Sequence, residues 1–184
     1  MSMHMTTSQT VGPFLHIGMP PAPNMVGAGV AGQKIMIEGR IVDGNGAPVP
    51  DGVVEIWQAN SHGKYAHPDD TSSLPSESGF TGWGRAWSEA DGAFRFTTIK
   101  PGSVPGPGGA QQAPHLMVTI FTRGILKHLT TRMYFEGDPA NDSDPVLQQV
   151  PTSRRATLMG KTEGNVVRWT VVMQGHDETV FFDI

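Results

Sequence analysis

The sequence predicts an all-β fold: a mostly antiparallel β-sandwich with long loops, an extended amino-terminal arm and short helical turns. Two observations carry this. Apolar and polar residues alternate with period two over several short segments, the pattern of half-buried strands. In addition, 23 Gly and 15 Pro make up more than a fifth of the 184 residues. Such a supply of turn formers favours many short strands over long helices. A chain of this length suits one domain with a single sizeable core.

Residues 1–33 read as the arm and residues 34–184 as the sandwich. The stretch Gly18-Met19-Pro20-Pro21-Ala22-Pro23-Asn24 cannot hold a helix, because Pro lacks an amide and restricts its predecessor. Regular alternation begins at Lys34, with Ile35, Ile37 and Ile41 on one face and Glu38 and Arg40 on the other. Asp43-Gly44-Asn45-Gly46 supplies turn chemistry. A second strand follows over about Gly52–Gln58, where Val54 and Ile56 oppose Glu55 and Trp57. Asn60–Trp87 reads as a long irregular stretch rich in Ser, Gly, Pro and Asp. Further strands are expected at Ala93–Ile99, Leu116–Phe121, Leu129–Phe135, Val167–Met173 and Thr179–Asp183. Val146–Gln149 and Ser153–Met159 read as short helical turns. Short strands with turn-rich connections imply a sandwich or barrel. The loops over Asn60–Trp87 and Lys100–His115 are long for such a domain, and loops of that length usually carry function or are disordered.

Composition excludes several functions. Thirteen Lys and Arg against 17 Asp and Glu leave no basic footprint for nucleic acid. The absence of cysteine excludes disulfides and thiolate metal sites. The first twenty residues contain no signal-peptide apolar stretch, and no apolar run reaches transmembrane length. The expectation is a soluble, cytoplasmic protein. No nucleophile elbow, P-loop or dinucleotide fingerprint is present.

The chemically loaded residues are the histidines and tyrosines. His62-Gly63-Lys64-Tyr65-Ala66-His67 puts three potential ligands in one loop, and His115 stands at the mouth of a strand just after Pro114. Imidazole with phenolate suits a hard, oxidised iron. Surface loops also carry His routinely. These residues alone leave open a metal-dependent β-sandwich enzyme and a binding or assembly module.

A series of motifs narrows the choice. Ser8-Gln9-Thr10-Val11-Gly12-Pro13-Phe14 is followed by Glu55-Ile56-Trp57-Gln58-Ala59-Asn60 and Gly63-Lys64-Tyr65. Then come Phe94-Arg95-Phe96-Thr97-Thr98-Ile99-Lys100-Pro101-Gly102, Ala113-Pro114-His115-Leu116, Thr131-Arg132-Met133-Tyr134-Phe135 and Glu178-Thr179-Val180-Phe181-Phe182-Asp183. In order and spacing this series resembles the intradiol ring-cleaving dioxygenases from about Thr7 to Ile184, and its close resembles their α-type subunits.

The resemblance implies an oxidoreductase of aromatic compound catabolism that uses O2 and non-haem Fe(III). In that family two Tyr and two His hold the ferric ion. The first Tyr place holds Tyr65, the second holds Val104, and the His-x-His pair falls on His115 and Met117. Val has no donor atom, and the Met thioether is a poor ligand for ferric iron. The Arg that the family places three residues before the first His is Gln112 here. The resemblance therefore implies no catalytic and no metal-binding residue in this chain. The iron would belong to a partner β subunit, in a symmetric hetero-oligomer that cleaves protocatechuate (3,4-dihydroxybenzoate). The residues it carries over as substrate-binding are Thr10, Gly12 and Pro13 of the arm and Arg123. Two alternatives stand beside it: a stand-alone sandwich that binds or assembles without chemistry, and a homomeric dioxygenase with a metal set drawn from His62, Tyr65, His67 and His115.

Overall fold

The computed structural model describes residues 6–12 and 14–183. Among these residues, ten strands follow a helical turn, α1 (Leu15–Gly18): β1 (Lys34–Val42), β2 (Val53–Trp57), β3 (Trp83–Trp87), β4 (Ala93–Ile99), β5 (Val104–Pro105), β6 (Gln111–Gln112), β7 (His115–Phe121), β8 (Leu129–Phe135), β9 (Met159–Glu163) and β10 (Val166–Val172). One layer is antiparallel in the order β3-β2-β7-β8. The other runs β9-β10-β1-β4, with β1 and β10 parallel. A short parallel contact between β8 and β9, through Tyr134–Met159 and Phe135–Gly160, joins the layers at one edge. This is the mostly antiparallel sandwich the alternation predicts. Inward residues of both layers form one core that includes Ile35, Ile37, Val54, Ile56, Phe94, Phe96, Leu116, Val118, Ile120 and Val171. Each such side chain contributes roughly 1.5–3 kcal/mol on burial.

The edge opposite the β8–β9 seam is closed by the arm. Ala22 and Arg85 exchange amide-to-carbonyl bonds of 2.8 and 3.1 Å, which fastens the arm to β3. The Met25 amide donates to Thr97 of β4, and the Thr97 amide donates to Pro23. Met25 itself is fully buried. It fits because Gly84 stands opposite: a Cβ there would lie 2.9 Å from the Met25 side chain. Met25 and Val30 thus enter this chain's own core, whereas residues 6–12, 14, 15 and 17–21 are exposed or half-buried.

Two sequence expectations need correction. Within the stretch read as irregular, Trp83–Trp87 is a strand. Its inward residues are Gly84 and Ala86, too small to register as an apolar alternation. Thr179–Asp183 is not a strand; only Phe182 bridges to Thr130. The Thr179 hydroxyl accepts from the Val172 amide at 2.9 Å, and Val180 O accepts from the Thr131 hydroxyl at 2.7 Å. With the Thr179 amide donating to Val172 O at 2.9 Å and the Phe182 amide to Thr130 O at 2.8 Å, these side-chain bonds hold the segment without a continuous ladder. The helical turns do form, as 3₁₀ turns over Leu147–Gln149 and Thr152–Leu158, joined by another at Pro139–Ser143. Among the described residues, no helix is long and apolar enough to cross a membrane.

Candidate functional site

The positions singled out by sequence gather on the outer face of the β2-β7-β8 layer. Along β7, Leu116, Val118 and Ile120 enter the core, so His115 and Met117 point the other way. Strand register then sets their neighbours. His115 pairs with Tyr134, and Met117 pairs with Arg132 on one side and Trp57 on the other. Cross-strand partners share a face, so Trp57, Met117 and Arg132 form a row. Tyr65 joins that row by stacking on Trp57, with ring centroids 5.8 Å apart and planes 5° from parallel.

Local chemistry holds the Tyr65 loop in place. Buried Asn60 accepts from the amides of His62 and Lys64 at 2.9 and 3.0 Å, and its side-chain amide donates to Pro75 O at 2.8 Å. The Lys100–His115 loop packs directly against it, with the Gly102 amide donating to Asn60 O at 2.9 Å. Gly63 makes this approach possible: it has φ +83°, and a Cβ there would lie 2.1 Å from Ser103 O. The contact draws β5, and with it buried Val104, toward the site. Val104 pairs with Gln112 of β6.

A polar network fills the centre. Arg132 Nη1 donates to Gln112 Oε1 at 2.7 Å and to the Tyr134 hydroxyl at 3.4 Å. Tyr134 in turn donates to Asp144 Oδ1 at 3.1 Å. Asp144 is fully buried and also accepts from the amides of Ala113, Val146 and Leu147 at 2.8, 2.9 and 2.7 Å. Burial, then the Arg132 charge, pushes the buried His115 ring down to about 4. It is neutral near pH 7, with Nδ1 donating to Ala113 O at 2.7 Å. Burial raises the Tyr65 and Tyr134 phenols, and the Arg132 charge opposes the rise in both.

This set does not fit a ferric ion. Val104 offers no donor, Met117 offers a soft thioether, and the Tyr65 phenol is pushed away from the phenolate form that binds iron. A permanent guanidinium stands among these positions and acts electrostatically on Tyr65, His115 and Tyr134. The alternative set is not assembled either. His62 turns to Glu77 at 3.4 Å and His67 to Asp69 at 3.6 Å. Among the described residues, no three His, Cys, Asp or Glu side chains are placed to share a metal.

The carried-over substrate residues lie elsewhere, where the arm meets the β7–β8 loop. The Thr10 hydroxyl accepts from the Gly124 amide at 2.8 Å, which pins the arm beside Arg123. Arg123 is 63% exposed and faces Asp51 at 3.4 Å. A cavity of about 360 Å3 opens alongside, lined by Gln9, Val11, Phe121, Ile125, Leu126 and His128 among others. Gly12 is exposed, and no described residue other than its chain neighbours comes within 4 Å of where its Cβ would stand. Pro13 lies outside the described residues. Arg132, Tyr134 and Asp144 escaped the sequence reading as a group. Their only signal was an Arg and a Tyr two apart on a predicted strand, and pairing with β7 is what gives that signal meaning.

Comparison with known proteins places this architecture. A family described as "Dioxygenase" matches residues 22–175. The protocatechuate 3,4-dioxygenase alpha chain of Burkholderia cepacia is 38% identical over 203 aligned residues, covering 100% of this chain and 99% of that one. The beta chain from the same organism is 35% identical over 80% of this chain and 67% of its own length. Among solved structures, the dioxygenase domain of a dioxygenase carbohydrate-binding protein fusion from Streptomyces sp. SirexAA-E superposes with a TM-score of 0.64. Its identity is 25%, covering 95% of this chain and 99% of that one. Fold, motif order and whole-length similarity agree: this chain belongs to the intradiol ring-cleavage dioxygenase family.

Proposed function

We propose that this chain is the α subunit of a protocatechuate 3,4-dioxygenase and works in the cytoplasm in a symmetric hetero-oligomer of α and β chains. The reaction is O2-dependent cleavage of 3,4-dihydroxybenzoate between its hydroxyls, giving 3-carboxy-cis,cis-muconate. Ring opening belongs to the β chain, whose ferric ion supplies the oxidative chemistry. This chain closes the mouth of that pocket with Thr10, Gly12 and Pro13 and presents Arg123 to the substrate carboxylate. A planar guanidinium suits a carboxylate bidentately.

The observation that carries this reading is the 2.8 Å bond from the Gly124 amide to the Thr10 hydroxyl. It ties together two segments, distant in sequence, that the family resemblance assigns to one pocket. Gly12 supports it too, because none of the described residues demands a missing side chain there. The poor fit of the inner site to iron supports assigning the metal to the partner.

The test is co-expression with a β chain that carries both Tyr and the His-x-His pair. The expected result is co-elution of the two chains by size exclusion, iron in proportion to β, and ring cleavage only in the complex. A chain that by itself purified burgundy, with stoichiometric iron and protocatechuate cleavage, would overturn the proposal. So would failure to associate with any β chain.

A further inference from the structure

We propose that Arg132 is a built-in cation that stands in for the metal in the degenerate centre of this chain, so that the centre rejects metal ions even when its missing ligands are restored. The inference uses the family's ligand positions and does not depend on the α-subunit reading.

Geometry puts the guanidinium there. Arg132 is the cross-strand partner of Met117, one of the family's His positions, and lies two residues from Tyr134, the partner of His115. Its Nη1 reaches back to Gln112, where the family carries its own Arg. The positive charge of the site has therefore not vanished with Gln112; it is supplied from β8 instead. Its surroundings are built to keep it. Gln112 Oε1 and the Tyr134 hydroxyl accept from it, and the Tyr134 proton goes on to buried Asp144. Guanidinium, phenol and carboxylate thus form a chain whose charges already balance. Asp144, one phenol away, is the carboxylate at the end of this chain of bonds.

The consequence is electrostatic. A guanidinium cannot shed its proton in a protein, so this positive charge persists at any working pH. A trivalent ion brought among Tyr65, Val104, His115 and Met117 would meet a fixed like charge in a partly desolvated site, where repulsion is strong. It would also meet a phenol at Tyr65 that must lose a proton to bind it. Supplying donors does not remove either obstacle; removing the cation removes the first.

The test compares full-length chains titrated with Fe(III) as its nitrilotriacetate complex. Bound iron and the tyrosinate-to-iron visible band are followed, and thermal unfolding verifies the fold. Val104→Tyr with Met117→His is expected to bind weakly. Adding Arg132→Gln is expected to tighten binding at least about tenfold and bring in the visible band. Adding Arg132→Lys instead, which keeps a positive charge, is expected to bind like the double variant; this separates charge from packing. If the Gln variant fails to fold, Arg132→Met, similar in length and uncharged, takes its place. Stoichiometric iron in the double variant would overturn the proposal, as would Lys and Gln variants that bind alike or a triple variant no better than the double. None of these outcomes bears on association with a β chain, so this proposal and the subunit assignment fail separately.

Discussion

Replacing Arg123 by Ala tests the pocket-mouth role directly. The side chain is 63% exposed and its partner Asp51 is 57% exposed, at 3.4 Å. Exposed pairs of this kind are worth roughly 0.2–1 kcal/mol, so a substrate carboxylate competes with Asp51 on easy terms. A carboxylate held at a partly wet rim gains about 1–2 kcal/mol from such a guanidinium. At about 1.4 kcal/mol per decade, Arg123→Ala in the α/β complex raises KM for protocatechuate about five- to thirty-fold. A catechol without the carboxylate has no charge to pair, so its KM changes less than about twofold. Asp51→Asn acts in the opposite direction. Asp51 sits at φ 61°, a conformation that Asn tolerates as well as Asp does, so the turn survives the change. Loss of the competing carboxylate lowers KM for protocatechuate by up to about threefold. The assay is steady-state ring cleavage with both substrates at fixed ionic strength. Equal losses for both substrates in Arg123→Ala would refute the charge argument and indicate a packing or assembly defect. No loss for either would return Arg123 to a solvated turn.

Two further predictions concern the inner network. His115 binds its proton at about 4 in the folded chain, against about 6.5 unfolded, so the unfolded state takes up the proton first. Stability is therefore full above about pH 6.5 and falls as pH drops toward about 4, by roughly 2–3 kcal/mol. Urea midpoints should show this slope in the parent chain and lose it in His115→Gln; an unchanged slope in the variant refutes the assignment. Asp144→Asn replaces an acceptor-only group with one whose N–H must face a donor: even if its oxygen keeps Val146, Leu147 and Tyr134, the N–H meets the Ala113 amide. It should cost about 2–4 kcal/mol in urea denaturation, well above the roughly 1 kcal/mol of Tyr134→Phe; equal costs would mean that the amide bonds to Asp144 contribute little.

What was legible in the sequence follows from how local each signal is. Strands whose inward residues are large declare themselves: Ile35 and Ile37, Val54 and Ile56, and Phe94 and Phe96 mark β1, β2 and β4. β3 does not, because its inward face is Gly84 and Ala86 and its apolar filling comes from Met25, nearly sixty positions away. The site divides the same way. Tyr65 and His115 were legible as positions because Asn60, Gly63 and Pro114 fix their loops locally. Arg132 was not, because its meaning depends on which β7 residue stands opposite, and a one-residue slip in register would turn it to the other face. Asp144 was still more remote, brought under β8 by a 3₁₀ turn rather than by any strand. That non-local part answers a physical need. The buried polar groups of a site must be satisfied for it to keep its shape. Here Gln112, Arg132, Tyr134 and Asp144 satisfy one another and the amides around them. The loops carrying Tyr65 and Val104 are therefore held by hydrogen bonds of this chain. The rigid scaffold that holds the arm against the Arg123 turn then depends on hydrogen bonds internal to this chain.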